Sequence, residues 1–450
     1  MSDVPEDAGR MRPPSGAFPV QTLTLAFALL ASAAAVAHAQ DLVLTNARIV
    51  DPRTRTIAEG TIVIESGKIA RVTAGNPPAG ARGERIDLKG QWVIPGLLDL
   101  HTHSFGNTGP NRAFDGRGTE HTAQRVLRAG VTGFVDLFGP EDSLFALRDR
   151  MRASPTAAAD LFAAGPCFTA SRGHCTEYGI PTRTIDSIAD VTRHLAELAP
   201  KRPDFIKVVY DHFDYGGRRM PTVDRPVLDA LLAGARRLGI KTIVHIGTWS
   251  DVRDAVAAGA DAITHVPRDS VVPDDVVRLL ASRRVSHIPT LTVHLDLIEW
   301  LENASSFVTP LAAEMTSEQL RAAYAGGADE RTRSWAAQQR TLRPMILESV
   351  RRLAAAGVPI LVGTDAGNWG TVQGYSVHRE LAHLVEAGMS AWDALAAATT
   401  RSGDFLGLRV GFRPGDAANL VVLDASPVDD VQNTERIALV VKSGSVVFRR

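Results

Sequence analysis

The sequence has little of three things, and each shortage closes off a class of function. It contains two cysteines in 450 residues, Cys167 and Cys175, too few to build a thiolate metal cage. Enclosed in "GPCFTASRGHC", they either close a short disulfide loop in an oxidising compartment or stand as free thiols. Charge of one sign is also scarce: 49 basic against 50 acidic residues leave a formal net charge of −1. That balance excludes an overall nucleic-acid footprint or a membrane-surface patch and argues against a polyanionic substrate. Beyond residue 40 there is no apolar run long enough to cross a bilayer.

The first 39 residues read as a secretory signal. Arg10 and Arg12 precede the apolar run "TLTLAFALLASAAAVAHAQ", and the small-x-small triplet Ala37-His38-Ala39 places cleavage before Gln40. The leader is long from Met1 and of ordinary length from Met11. A membrane anchor is the competing reading, but the run is short for a span and dilutes into alanine. The mature chain is therefore expected to be secreted or periplasmic, with no membrane attachment after cleavage.

What remains is ordinary globular material, 45% hydrophobic and 22% charged, enough for one large domain and a small one. Residues 40–94 contain alternating runs ("LVLTNARIV", "TIVIESGKIARV", "ERIDLKGQWV") broken by turn residues, and the same texture returns in 408–450 ("ANLVVLDAS", "IALVVKSGSVVFRR"). These flanks predict a discontinuous β domain, a small β-sandwich assembled from both ends. The middle, 95–407, alternates short apolar runs with stretches of helical period. Eight candidate strands can be counted: "WVIPGLLDLH", "VTGFVDLF", "DLFAAGP", "DFIKVVY", "KTIVHIG", "DAITHVP", "VSHIPTLTV" and "PILVGTD". Strands alternating with helices imply a parallel sheet, and eight of them in this length fit a (β/α)8 TIM barrel. The segment 296–345 reads as a helical insertion over the barrel mouth.

The reactive residues fall at the strand ends. His101 and His103 end strand one on a shared face, Lys207 lies in strand four, His245 and His265 end strands five and six, and Asp365 ends strand eight. In a barrel these ends meet on one rim, and four imidazoles with a carboxylate make a set suited to borderline divalent cations. Lys207, flanked by apolar residues, is the odd member, because a buried ammonium would be repelled by such cations. A neutral lysine amine can instead take up carbon dioxide, and the resulting carbamate suits the bridging of two metals about 3.5–4 Å apart. A lysine paired at the surface is the plain alternative.

"IPGLLDLHTH", "FIKVV", "TIVHI", "AITHV" and "LVGTDAG" together resemble the metal motifs of the amidohydrolase superfamily. The likeness is nearest to the subgroup of imidazolonepropionase-like enzymes and metal-dependent prolidases and dipeptidases with a carboxylated lysine. The resemblance implies a binuclear centre, usually zinc, with manganese, cobalt or iron as the alternatives. His101, His103 and Asp365 would hold the more buried ion, His245 and His265 the more exposed one, and carboxylated Lys207 would bridge them. It further implies hydrolysis of an amide bond (dipeptide, N-acyl amino acid or cyclic amide) by a bridging hydroxide, with Asp365 as the catalytic proton carrier. A lactonase, esterase or phosphotriesterase on the same site is the alternative, and a non-catalytic binding relative is the third reading. Asn419 stands where the family usually has aspartate, but in the β domain. The loop "VVYDHFDYGG" after Lys207 leaves the substrate open.

His174 and Tyr210 are the candidates for binding the substrate carbonyl. His212, His287 and His294 lie near strand ends without an evident ligand role, and His378 and Glu380 read as supporting residues behind the site. The expected partner is a small-molecule substrate, and the choice between a monomer and a homo-oligomer stays open.

Overall fold

The computed structural model describes residues 41–153, 158–214, 219–302 and 309–450. The expected signal sequence lies outside them. Among the described residues no helix is long and apolar enough to cross a membrane.

Strands from 42–95 and from 420–449 share one eight-stranded sheet. Its order is Ser445–Arg449, Ile437–Lys442, Leu420–Leu423, Trp92–Pro95, Leu42–Asp51, Thr56–Glu65, Lys68–Thr73, with Glu84–Asp87 paired alongside Leu42–Asp51. Two of its hairpins are made by the same dipeptide. Ser66-Gly67 (φ 50° and 75°) and Ser443-Gly444 (φ 49° and 81°) both turn with two successive left-handed residues, the backbone that matches the twist of a two-residue hairpin. Alternation then buries Leu42, Leu44, Ile62, Ile64, Leu420, Val422, Leu439 and Val441 in one apolar cluster, each contributing about 1.5–3 kcal/mol.

The middle of the chain is α/β with parallel strands. Leu97–Thr102, Val131–Asp136 and Asp160–Ala163 form one parallel set. Cys167–Thr169, Phe205–Tyr210, Lys241–Ile246, Ala262–Thr264 and Ser286–Ile288 form another, with Arg183–Thr184 at its edge. The two sets approach where Asp204 N donates to Ala163 O at 2.9 Å. The segment "PILVGTDA" runs between the last strand and the first: Leu361 N donates to His287 O (2.9 Å), Leu100 N to Val362 O (2.9 Å) and Asp365 N to His101 O (2.7 Å). Its bonding is irregular, with isolated bridges at Ile360 and Ala366 rather than a continuous ladder.

Two expectations shift. The seventh strand stops at Ile288, because Pro289 supplies no N–H and Thr290 turns into the left-handed region (φ 50°). "LTV" is instead the start of the helix Leu291–Glu302. Glu380 fixes that start, its two carboxylate oxygens each accepting a backbone N–H at 2.9 Å, from Leu291 and Thr292, which places a carboxylate at the positive end of the helix. The helical insertion therefore begins at Leu291 rather than 296. It continues through Pro310–Met315 and Glu318–Ala325 into Glu330–Ala355.

Candidate metal centre

Of the six residues expected to hold metal, His101, His103, His245 and His265 lie at or just past the carboxyl ends of parallel strands, Lys207 lies within Phe205–Tyr210 and Asp365 follows the irregular segment beside the first strand; the fold brings all six together. His101 Nε2 stands 3.2 Å and His103 Nε2 2.9 Å from Asp365 Oδ1, and Lys207 Nζ stands 3.4 Å from His101 Nε2. The rings of His101 and His265 are 5.0 Å apart and those of His245 and His265 4.4 Å. Ligand atoms of His101, His265 and Asp365 all lie within 4.8 Å of one another. His265 (φ 73°) and Asp365 (φ 56°) both hold left-handed backbone where their strands end. Such strain in residues other than glycine persists where the surroundings enforce it, and it concentrates at functional sites.

Neighbouring side chains orient three of the four imidazoles. His101 Nδ1 pairs with Thr264 Oγ1 (2.7 Å), His265 Nδ1 with Thr290 Oγ1 (2.8 Å), and His245 Nε2 with Asp211 Oδ2 (3.2 Å). One nitrogen of each ring is thereby engaged and the other is left for the site, the arrangement that fixes tautomer and direction in metal-binding histidines. Glycine is needed at two of these junctions. A Cβ on Gly363 would lie 2.4 Å from Ile288 Cγ2 and 2.8 Å from His101 Cβ, and one on Gly247 1.7 Å from Asp211 Oδ1.

Burial governs the protonation of the cluster. It lowers His101 and His265 far below their ordinary range, His245 to about 4 and Lys207 to about 7, the last against an opposing pull from Asp365. Burial alone would raise Asp365, but His101, His103 and Lys207 outweigh it, and the carboxylate stays ionised well below the usual range. The site thus offers three neutral imidazoles in His101, His245 and His265, an anionic carboxylate and an amine that is neutral in substantial part at pH 7.

This donor set fits divalent cations. Protein partners alone leave it incomplete: among the described residues, the buried atoms Asp365 Oδ1 and His103 Nδ1 have no hydrogen bond of normal geometry, although two imidazole nitrogens crowd the carboxylate. A buried acceptor in that position is costly unless another group completes it. A second clustered triple, Asp296, Glu299 and His383, does not fit a metal. Arg379 pairs with both carboxylates, and His383, raised to about 9 because the carboxylates of Asp296 and Glu386 overcome its burial, bonds Asp296 Oδ1 at 2.7 Å. Its charges are already balanced.

Of the two substrate candidates, His174 is at the site and Tyr210 is not. The His174 ring lies 4.9 Å from that of His245, with Nδ1 2.7 Å from Glu177 Oε1. Its loop is tied back by a disulfide between Cys167 and Cys175, which decides between the two readings of that pair. Tyr210 is corrected: an odd spacing along a strand puts it on the opposite face from Lys207, and its hydroxyl donates to Asp254 Oδ2 at 3.0 Å in the helix layer. Asp211, an even spacing from Lys207, is the residue that the same rule would have found.

The supporting histidines are accounted for locally. His287 Nε2 pairs with His265 O (2.8 Å), His212 Nδ1 with Asp251 Oδ1 (2.6 Å), and His378 with Thr434 Oγ1 and Ala129 O. Asn419 serves the β sheet, where its Oδ1 accepts Ser443 N at 2.8 Å, away from the metal cluster. Sequence reading gave no role to His294, whose ring comes within 6.3 Å of that of His265 from the insertion.

The family model described as "Amidohydrolase family" matches residues 92–447. Among solved structures, a Xaa-Pro dipeptidase with bound methionine superposes with a TM-score of 0.73 at 20% identity, covering 91% of this chain and 100% of that one. A prolidase complexed with N-methylphosphonate-L-proline gives 0.70 at 20% identity, covering 91% and 100%. An uncharacterized protein of Mycobacterium tuberculosis is 25% identical over 343 residues, 75% of this chain and 80% of the relative. The chain belongs to the amidohydrolase family.

Proposed function

We propose that this enzyme hydrolyses the amide bond of a dipeptide, an N-acyl amino acid or a cyclic amide, using two divalent cations, zinc in the first instance. His101, His103 and Asp365 would hold one ion, His245 and His265 the other, and Lys207, carboxylated on Nζ, would bridge them. The observation that carries this is the convergence at Asp365 Oδ1, a buried anionic acceptor flanked by two imidazole nitrogens at 2.9 and 3.2 Å and completed by neither. The names of the structural neighbours, a dipeptidase and a prolidase, support the substrate class.

When bound, the cations supply a Lewis acid for the substrate carbonyl and lower the pKa of a water to about 7. Asp365, held ionised by its neighbours, takes the proton of the attacking water and delivers it to the leaving nitrogen, which departs poorly as an anion. Thr264, Thr290 and Asp211 keep three imidazoles in fixed orientation, so little is spent on reorganisation during the reaction. His174, beside His245, would donate to the carbonyl oxygen as its charge develops.

We read the parallel strands as one (β/α)8 barrel over 95–407, with 359–366 as the eighth strand, and the sheet of 40–94 and 408–450 as a sandwich-like β domain. Secretion or a periplasmic location after loss of residues 1–39 is favoured by the disulfide, which needs an oxidising compartment. The deciding experiment screens the enzyme, purified with zinc and bicarbonate, against dipeptides, N-acyl amino acids, cyclic amides, lactones and phosphotriesters. Turnover of amides that Asp365→Asn abolishes supports the proposal. Turnover confined to lactones, esters or phosphotriesters refutes it.

A further inference from the structure

One side of the metal cluster is bounded by aromatic side chains that the chemistry above does not use. The ring of Phe138 meets that of His103 edge-on, with centroids 6.3 Å apart. Tyr178 meets Phe138 in the same manner at 6.2 Å and His174 at 5.7 Å. The His174 ring in turn lies 4.9 Å from that of His245. The rings therefore run in an unbroken chain from His103 to His245, two of the residues expected to hold metal.

Both aromatic links are held in place. Phe138 is 6% exposed, packs in one cluster with Cys167, Cys175 and Val209, and donates its backbone N–H to Asp136 Oδ1 at 3.0 Å. Tyr178 closes the single turn Thr176–Tyr178, which starts directly after the disulfide-bonded Cys175 and ends on Gly179 in left-handed backbone (φ 73°). Few conformations are left to either ring, so a ligand that packs on them meets a surface already formed.

Tyr178 shows on which side that surface lies. Its side chain belongs to a residue 53% exposed, yet protein surrounds the hydroxyl closely enough that burial, with the charges of Glu177 and Asp365, pushes the phenol up. A residue open to solvent and hemmed in by protein is the wall of a recess, and the influence of Asp365 sets that recess beside the metal cluster. The complement follows from the wall. Phe138 has no polar atom, and the Tyr178 phenol stays uncharged, so a charged or strongly hydrated group would lose water there with little in return. A flat ring would bury apolar area and make edge-to-face or offset contacts with both.

We infer that Phe138 and Tyr178 form a specificity wall for an aromatic group that the substrate carries next to its scissile amide. This rests on the amide-hydrolase reading and narrows it to amides with an aromatic acyl group or an aromatic side chain. Small or strongly polar analogues reach the same metal cluster but gain nothing from the wall.

The test is equilibrium binding of ligands that resemble such amides and are not hydrolysed, with a sulfonamide in place of the amide. Thermal shift titrations of the zinc-loaded protein compare N-methanesulfonyl phenylalanine and N-benzenesulfonyl alanine with N-methanesulfonyl alanine and N-methanesulfonyl glutamine. We expect at least one of the aromatic pair to bind tenfold or more tightly than both of the others. Tyr178→Ala, at an exposed position, should reduce that preference to threefold or less, Tyr178→Phe should keep it, and Phe138→Leu should weaken it. Equal binding of all four, no binding of any at millimolar concentration, or a preference that survives Tyr178→Ala would overturn the inference. Aromatic-selective binding by a protein that cleaves no amide would refute the proposed reaction and leave the wall standing. Amide cleavage at rates indifferent to aromatic groups on either side of the bond would refute the wall alone.

Discussion

Replacing Lys207 by methionine should stabilise the metal-free protein while removing its activity. Lys207 is 3% exposed, its Nζ is 3.4 Å from His101 Nε2, and burial lowers it from 10.5 to about 7. In the unfolded chain the amine keeps its proton up to about pH 10.4. Between pH 7 and that value the unfolded lysine binds more protons than the folded one, so the contribution of Lys207 to the stability of the metal-free enzyme should rise with pH across the window. At 1.36 kcal/mol per pH unit, the full difference sets an upper bound of ~5 kcal/mol on what the folded state gives up at pH 7 to keep this amine. Water penetration and local relaxation reduce that to about 2–3 kcal/mol. Lys207→Met fills the same space without a polar atom and should recover that amount, seen as a higher urea midpoint than the parent at pH 7 and an advantage that shrinks as pH rises to 10. Turnover in the presence of zinc and bicarbonate should fall by orders of magnitude. A variant less stable than the parent at pH 7, or one that keeps most of its turnover, would refute the reasoning.

Other perturbations separate the site from its scaffold. Tyr210→Phe removes only the bond to Asp254 and should cost about 1 kcal/mol of stability while kcat/KM stays within about twofold. The pair Cys167→Ser and Cys175→Ser opens a loop closed over a separation of 8 residues. By the chain-entropy relation it should lose about 2.5 kcal/mol, and steady-state kinetics should show a raised KM as His174 loses its place beside His245. His383, raised to about 9, contributes stability that is fully present below pH 6.5 and is lost as pH rises through 9. Thermal melts from pH 6 to 10 should show the stability difference between the parent and His383→Asn shrinking across that range, with on the order of 2–3 kcal/mol at stake.

The metal residues were legible because all but Lys207 sit at the end of an apolar run and Lys207 is the one charge inside its own run, positions that strand period and chain direction mark without knowledge of any tertiary contact. The same rule, applied one step further, separates Lys207 and Asp211 from Tyr210. The limits of strand seven were also written locally, in Pro289, but what turns the next residues into a helix is the carboxylate of Glu380, nearly ninety positions away. Such long-range capping leaves no local pattern. The approach of His294 to His265 was invisible for the same reason: a lone histidine in the helix Leu291–Glu302 reaches the strand ends only when the insertion folds over them. The left-handed backbone of His265 and Asp365 is likewise a product of tertiary enforcement.

The central claim is that six side chains surround two cations. Elemental analysis of the protein reconstituted with zinc and bicarbonate tests it most directly. Two ions per chain, reduced in His245→Ala and in Lys207→Met, is the predicted result. A folded protein that binds no metal, or one ion indifferent to both substitutions, would contradict the account.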